Sequence, residues 1–243
     1  MRIVICFLLI SLVSKAQLDS AASLPLVGVH FGGQLPFSDM GTRFGPNLDA
    51  GGMFAYKTKR NWIFGAEGTY GFGRNVKEDV LKNLKTTDGF VIDNEGYPAD
   101  LRISERVVGV HVFGGKIFHL TGSNINSGIV ATFGAGYMQH KINLYDAQQR
   151  IAAVHGDLKY GYDRLSNGVS VSQFIGYLNL SNNRLLNYYF GFTFYEAYTK
   201  SIRKLNYDTG LPDKKSRIDI LSGFRVGWIL PLYKRTPNNF YVN

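Results

Sequence analysis

Six ionisable side chains stand among glycines and apolar residues rather than among other charges: His30, Asp49, Glu67, His111, Asp219 and Arg225. A charge in apolar surroundings is costly unless it is paired. These groups must therefore meet partners across the fold, and Glu67 with Arg225 is the favoured pair. Two kinds of chemistry follow. The set can form a salt-bridged, hydrogen-bonded plug, or it can carry a proton or a ligand along a path.

Nucleophilic catalysis needs a base within hydrogen-bond reach of its nucleophile. The sequence offers no His-x-Ser, because His30 is followed by Phe-Gly, His111 by Val-Phe and His140 by Lys-Ile. His140 can reach Ser170 or Ser172 only across neighbouring strands, so enzymatic work on lipid is permitted but not indicated. Metal binding has little support. The histidines are isolated, no HExxH occurs, and Asp93-Asn94-Glu95-Gly96 lacks calcium-loop spacing. The glycines of FGAGYMQ suit the inside of a curved sheet better than a phosphate loop. No metal, cofactor or nucleic-acid partner is expected. A second candidate surface lies in AQQRIAAVHGDLKYGYDRLSN, where Arg150, Tyr160, Tyr162 and Arg164 are residue types favoured at interfaces. An aromatic girdle at a membrane surface accounts for the tyrosines equally well.

The elements that hold these residues are strands. In NWIFGAEGTYGFGR, Trp62, Phe64, Ala66, Tyr70 and Phe72 fall on one face, and Glu67 stands with glycines on the other. Period two places successive side chains on opposite faces of a sheet. Aromatics on one face and a lone carboxylate on the other fit lipid outside and a lumen inside. The same alternation marks segments near 24–35, 48–57, 101–118, 127–145, 185–200 and 217–233, and less cleanly 168–180. His30, Glu67, His111 and Arg225 fall inward near mid-height, with Asp49 and Asp219 nearer the loops.

The gaps between these segments run long, short, long, short, long, short, long. Tight turns at one rim and long loops at the other are the signature of a transmembrane barrel. The expected fold is therefore all-β: a transmembrane antiparallel up-and-down barrel of eight strands, with short periplasmic turns and longer extracellular loops. An even strand count puts both termini on the periplasmic side. In the longest gap, 75–100, the spacing of Val76, Val80 and Leu84 predicts a short helix. A closed barrel satisfies every backbone donor without an open edge, as lipid requires.

Residues 1–17, MRIVICFLLISLVSKAQ, read as a cleaved signal peptide: Arg2, then an apolar run too short to span a bilayer, then Ser14 and Ala16. Residues 18–243 form a single barrel domain with a short periplasmic C-terminal tail. Cys6 is the one cysteine, so the mature chain has no disulfide or cysteine metal site. The net charge of +9 falls to +7 without Arg2 and Lys15. Those basic residues are dispersed, which suits anionic lipid head groups better than nucleic acid. The mean hydropathy of −0.08 is compatible with a barrel, where only alternate residues face lipid.

The Ala16-Gln17 ending of the leader, the closing strand GFRVGWILPLYKR and the aromatic pair Phe240-Tyr241 resemble outer-membrane β-barrel proteins of the Bacteroidota. YKTKRNWIFG, NSGIVATFGAGYMQHKI and GYDRLSNG share that character. One departure is that the chain continues past Tyr233 instead of ending on the last strand. The resemblance implies a cell outer-membrane location, outer-membrane lipid and other envelope proteins as partners, and a setting such as that phylum's secretion or gliding machinery. The expected role is non-enzymatic: a structural or binding protein, an anchor or an accessory subunit of an envelope complex. A narrow transporter or channel and a lipid-modifying enzyme are the alternatives.

Overall fold

A computed structural model describes residues 21–120, 124–181 and 186–232. The expected leader over 1–17 and the tail from 233 onward lie outside the described residues. Alternating sequence becomes strand throughout: β1 (Leu24–Phe37), β2 (Asn47–Lys57), β3 (Trp62–Gly73), β4 (Leu101–His119), β5 (Gly128–Asp146), β6 (Ser166–Asn179), β7 (Tyr188–Ser201) and β8 (Ser216–Pro231). Each pairs antiparallel with the next, and β8 pairs with β1 to close the ring.

The register shows how the ring closes. Cross-strand partners lead from Val27 to Phe54, Ala66, Val112, Ala135, Val171, Glu196 and Ile220. The circuit returns to β1 at Phe37, ten residues beyond its start. That stagger over eight strands tilts them by about 40° from the barrel axis. A barrel this narrow has an interior that side chains can fill.

One rim carries the turn 58–61 and the short connections from β4 to β5 and from β6 to β7; the other carries the loops 38–46, 74–100, 147–165 and 202–215. The first turn closes with Asn61 at φ +60°, a left-handed conformation that asparagine tolerates, and the Thr58 N–H donates to the Trp62 carbonyl at 2.8 Å. β4 and β5 are 19 residues each. Crossing a bilayer takes roughly 9–11 residues, so this hairpin rises beyond it and supports the loops.

The outer surface is apolar. Val110, Val112, Phe133, Val169 and Phe192 are each more than half exposed. Tyr56, Trp62, Tyr188 and Trp228 ring the turn end, while Tyr70, Tyr137 and Tyr198 stand toward the loop end. A continuous apolar belt of this kind is unfavourable in water and favourable in hydrocarbon. The fold is that of a transmembrane β-barrel. No helix among the described residues is long and apolar enough to cross a membrane.

The helix expected over Val76–Leu84 is not formed. The segment makes turns, with bridges from Val76 to Phe44 and from Lys85 to Val91. Val80 and Leu81 are both fully buried, and such adjacent anchoring does not follow helical spacing. An isolated segment this short gains too little from helix formation to offset nucleation, and packing over the barrel mouth decides its shape. The helix that does occur is α1 (Ser38–Arg43) in the first loop, and single 3-10 turns sit at Ala152–Val154 and Leu158–Gly161.

The interior has three layers. At the turn end, Leu24, Leu26, Ala55, Ile63, Ile117, Val130, Leu178 and Ile229 form an apolar floor. Polar groups fill the middle. Above them, Met40, Phe44, Val80, Leu81, Ile151, Val154 and Tyr162 from the loops form an apolar roof on the upper strands.

Candidate functional site in the lumen and the loop crown

Glu67 and Arg225 meet across the barrel. Arg225 donates from Nη1 to Glu67 Oε2 at 2.9 Å and from Nη2 to Thr193 Oγ1 at 3.0 Å. Tyr195 completes the group: its hydroxyl donates to Glu67 Oε1 at 3.1 Å and accepts from Arg225 Nη2. The guanidinium also lies 5.8 Å from the Phe174 ring centroid. A buried ion pair is tolerable when its remaining valences are also bonded; Thr193 and Tyr195 bond Arg225 Nη2, while Nε has no hydrogen-bond partner among the described residues.

His111 is fully buried beside this group. Its Nε2 lies 2.7 Å from Ser170 Oγ, and its ring packs 5.1 Å from Tyr195. The histidine–serine contact is therefore made by His111, not by His140 as the sequence allowed. It does not read as a catalytic pair. His111 Nδ1 has no hydrogen-bond partner among the described residues, so nothing orients the ring as a base. Both residues face the lumen, away from lipid. Gly136 leaves room for this ring, since a Cβ there would come within 2.9 Å of His111 Cδ2.

His30 and Asp49 form a second pair. The two are buried, with Nε2 3.4 Å from Oδ2, an ion-pair approach longer than a hydrogen bond. The imidazole lies against Gly51, where a Cβ would fall 2.6 Å from the ring.

Asp219 belongs to a separate cluster nearer the loops. It accepts from Arg43 Nη2 at 2.7 Å, lies 2.9 Å from His140 Nε2, and accepts from Thr199 Oγ1 at 2.5 Å. Nearby, fully buried Glu105 accepts from Asn47 Nδ2 at 3.0 Å. The six inward residues predicted from sequence are thus divided. Glu67, Arg225 and His111 are brought together around Tyr195, His30 pairs with Asp49, and Asp219 works with partners that the sequence did not suggest.

Arg43 was missed because it lies in a loop. Only the six-residue helix α1 turns it down into the barrel. Glu105 carries a usable signal, a lone carboxylate on the inward face of β4. Lys57 was missed as well. It ends β2 fully buried at the floor, and Nζ donates to Asn126 Oδ1 at 2.8 Å and to the Ala22 carbonyl at 3.1 Å. Among the described residues, no group of histidines and carboxylates is arranged to hold a metal ion.

The loops form a crown held by charges. Arg164 donates from Nε to Glu78 at 2.7 Å and from Nη2 to Asp208 at 2.6 Å, tying three loops together. Arg203 pairs with Asp163, its Nε donating to Oδ1 at 2.8 Å. Lys77 donates to the Gly41 carbonyl at 2.7 Å, and Asp39 accepts from the Ile218 N–H at 3.0 Å. That backbone hydrogen bond, with Lys215 beside it, holds the Asp39 carboxyl below the usual carboxylate range. Burial works to raise Asp213 and Asp146. It is outweighed by Arg217 at the first and by His155 and the Ile151 N–H at the second, so both are also lowered.

Two loop assignments need correction. Tyr162 and Arg164 are only 7% exposed, so they hold the crown together and do not present it. Tyr162 packs edge-on against Tyr207, and burial pushes its phenol above the ordinary value. Arg150 and Tyr160 do stay at the surface. Arg150 bonds Glu95 at 3.2 Å, and Tyr160 lies under Arg203 at 4.4 Å. Phe90, Tyr97 and Leu211, which the sequence did not single out, are each more than half exposed on the loops.

No family model matches the chain, and no curated protein does. Solved structures share the general barrel shape at a distance. The chain is 11% identical to Neisserial surface protein A, covering 85% of this chain and 98% of that one, at a TM-score of 0.42. The attachment invasion locus protein Ail of Yersinia pestis gives 11% identity, 85% and 97% coverage and a TM-score of 0.40. The N-terminal β-barrel domain of Pseudomonas aeruginosa OprF gives 11%, 86% and 100%, and 0.39. These likenesses are remote, and the fold rests on the closed strand ladder itself.

Proposed function

We propose that this chain is a non-enzymatic protein of the bacterial outer membrane, exported by its leader, with both termini periplasmic and its loops outside the cell. Its role is structural or binding: an anchor or accessory subunit that presents a fixed loop surface to another envelope protein. Secretion and gliding machinery are candidate settings.

The observation that carries this reading is the combination of a filled lumen with cross-linked loops. Floor, polar middle and roof leave no wide passage, which speaks against a channel. The buried His111–Ser170 contact faces away from the lipid, which speaks against lipid chemistry. What the molecule offers to partners is the crown. Arg164, Arg203, Lys77 and Asp39 fix its shape, and Phe90, Tyr97, Tyr160 and Leu211 supply apolar contact area. Rigid aromatic side chains on a fixed support are favourable binding anchors.

The test is mild extraction of a tagged chain from native outer membranes, followed by mass spectrometry of co-purifying proteins. A stoichiometric partner that is lost in F90S/Y97S supports the reading. A lone barrel whose loops can be deleted without phenotype overturns it.

A further inference from the structure

On the outer face, where β3, β4 and β5 approach the loop end, four cations gather with a single carboxylate, Asp100, paired to one of them. Phe72, Arg106 and Lys141 lie on one cross-strand line. Arg74 follows the end of β3, and Arg102 is opposite Tyr145. Phe72, Arg74, Arg102, Arg106 and Tyr145 border an open groove of about 960 Å³ together with Leu48, Ser104 and Asn143, and Lys141 stands beside it, opposite Arg106. The inward set is excluded by parity: Glu105, between Ser104 and Arg106, points into the lumen.

Like charges directly opposite each other on adjacent strands are destabilising. Arg106 and Lys141 are such a pair. Arg106 donates to the Glu105 carbonyl at 2.9 Å, and among the described residues no carboxylate forms a salt bridge with Arg74, Arg106 or Lys141. Arg102 has Asp100 at 3.2 Å, both largely exposed. The arrangement is stabilised when an anion comes between the cations. Guanidinium groups match phosphate through paired N–H donors.

The height of the groove identifies the source of that anion. The row immediately below it, toward mid-barrel, is Tyr70, Val108 and Gln139, and the next holds Val110 and Tyr137; Tyr70, Val108, Val110 and Tyr137 belong to the apolar belt and its aromatic girdle. The cations thus stand just above the girdle, with Gln139 between Lys141 and Tyr137 on β5, at the height where lipid head groups lie. Phe72, Leu48 and Val108 continue downward as a surface for acyl chains.

The geometry points to a binding site for the phosphate-bearing head group of a lipid in the leaflet at the loop end. The phosphate sits between Arg74, Arg106 and Lys141, and the chains run down over Phe72 and Val108. This inference rests on the membrane-spanning reading of the barrel. It adds a defined lipid site where the dispersed charge of the sequence implied only general attraction.

The experiment reconstitutes the full chain into phosphatidylcholine vesicles carrying either diphosphoryl lipid A or the same lipid without phosphates, and measures retained lipid by native mass spectrometry. Retention of the phosphorylated form is expected, falling by about fivefold for each cation removed in R106Q and R106Q/K141Q. The control is K200Q. Lys200 stands beside Tyr198 at the loop end of β7, outside the groove, and its loss changes charge equally without touching the site. Equal retention of both lipids, or an equal loss in K200Q and R106Q, overturns the site while leaving the barrel intact. Failure of the wild-type chain to enter vesicles at all overturns the membrane reading, and the site with it.

Discussion

At the turn end of the lumen, Leu26, Ala55, Ile63, Ile117, Val130 and Ile229 meet as hydrocarbon against hydrocarbon, all at 2% exposure or less. Toward the loop end, Asp219 gathers Arg43, His140 and Thr199, while Arg225 joins Glu67, Thr193 and Tyr195. Both regions exclude passage, but they differ in physical character. Apolar packing is non-directional and roughly proportional to buried area, so these side chains seal the floor without selecting one arrangement, with Lys57 as the directed polar contact at its edge. Buried charges carry a large penalty for every unmade bond, so the upper lumen accepts few arrangements. This difference accounts for the placement of the crown. Arg43 and Asp219 couple the first loop to the strand ladder, and the loops inherit a fixed position from the polar layer.

The comparison can be broken most severely at Arg225. R225M leaves the Glu67 carboxylate unpaired in the lumen, with an expected loss of about 3–5 kcal/mol in stability, read by urea unfolding in vesicles. The double variant R225M/E67L should recover most of that loss, because both charges are then gone. At the floor, L26A is expected to cost about 3 kcal/mol through transfer and cavity terms, with no dependence on salt or pH. If L26A proves salt-sensitive, the contrast between the two regions fails.

Arg164 separates crown from barrel. R164M leaves Asp208, itself buried, without its partner and unties three loops. The expected cost is local, about 1–3 kcal/mol of opening free energy, seen as faster proteolysis of the loops while the barrel's heat-modifiable migration is unchanged. The smallest effect concerns pH. Asp39, Asp146 and Asp213 are held below the ordinary aspartate range by their hydrogen bonds and cations. Their contribution is therefore present above an unfolded value of about 3.9 and is lost as pH falls through the lower folded values. Loop protection from hydrogen exchange should decline below about pH 4, and floor protection should not.

Much of this design is visible in the sequence. Trp62 to Phe72 shows both faces of a strand and places Glu67 inside, and a lone inward carboxylate requires a cation such as Arg225. Strand ends fall within a few residues of the expected ones because turn residues such as Asn61 mark them locally. What the sequence conceals is contact across the barrel. Whether His111 or His140 meets Ser170 depends on the β4–β5 and β5–β6 registers, which line up His111, Gly136 and Ser170 and set Ser166 opposite His140, and no single strand encodes them. Arg43 was hidden because a loop residue entered the lumen through a turn of helix. Tyr162 and Arg164 looked like contact residues because interface types are also the types that tie loops together. Val76 to Leu84 had helical spacing, but its partners lay on other loops.

The central claim is that the lumen is closed at rest and the loops are the working surface. Single-channel recording of the pure, full chain in planar bilayers at neutral pH tests it most directly. No stepwise conductance is predicted for the wild type. Steady, ohmic steps at low voltage would contradict the account and make the polar middle layer a path.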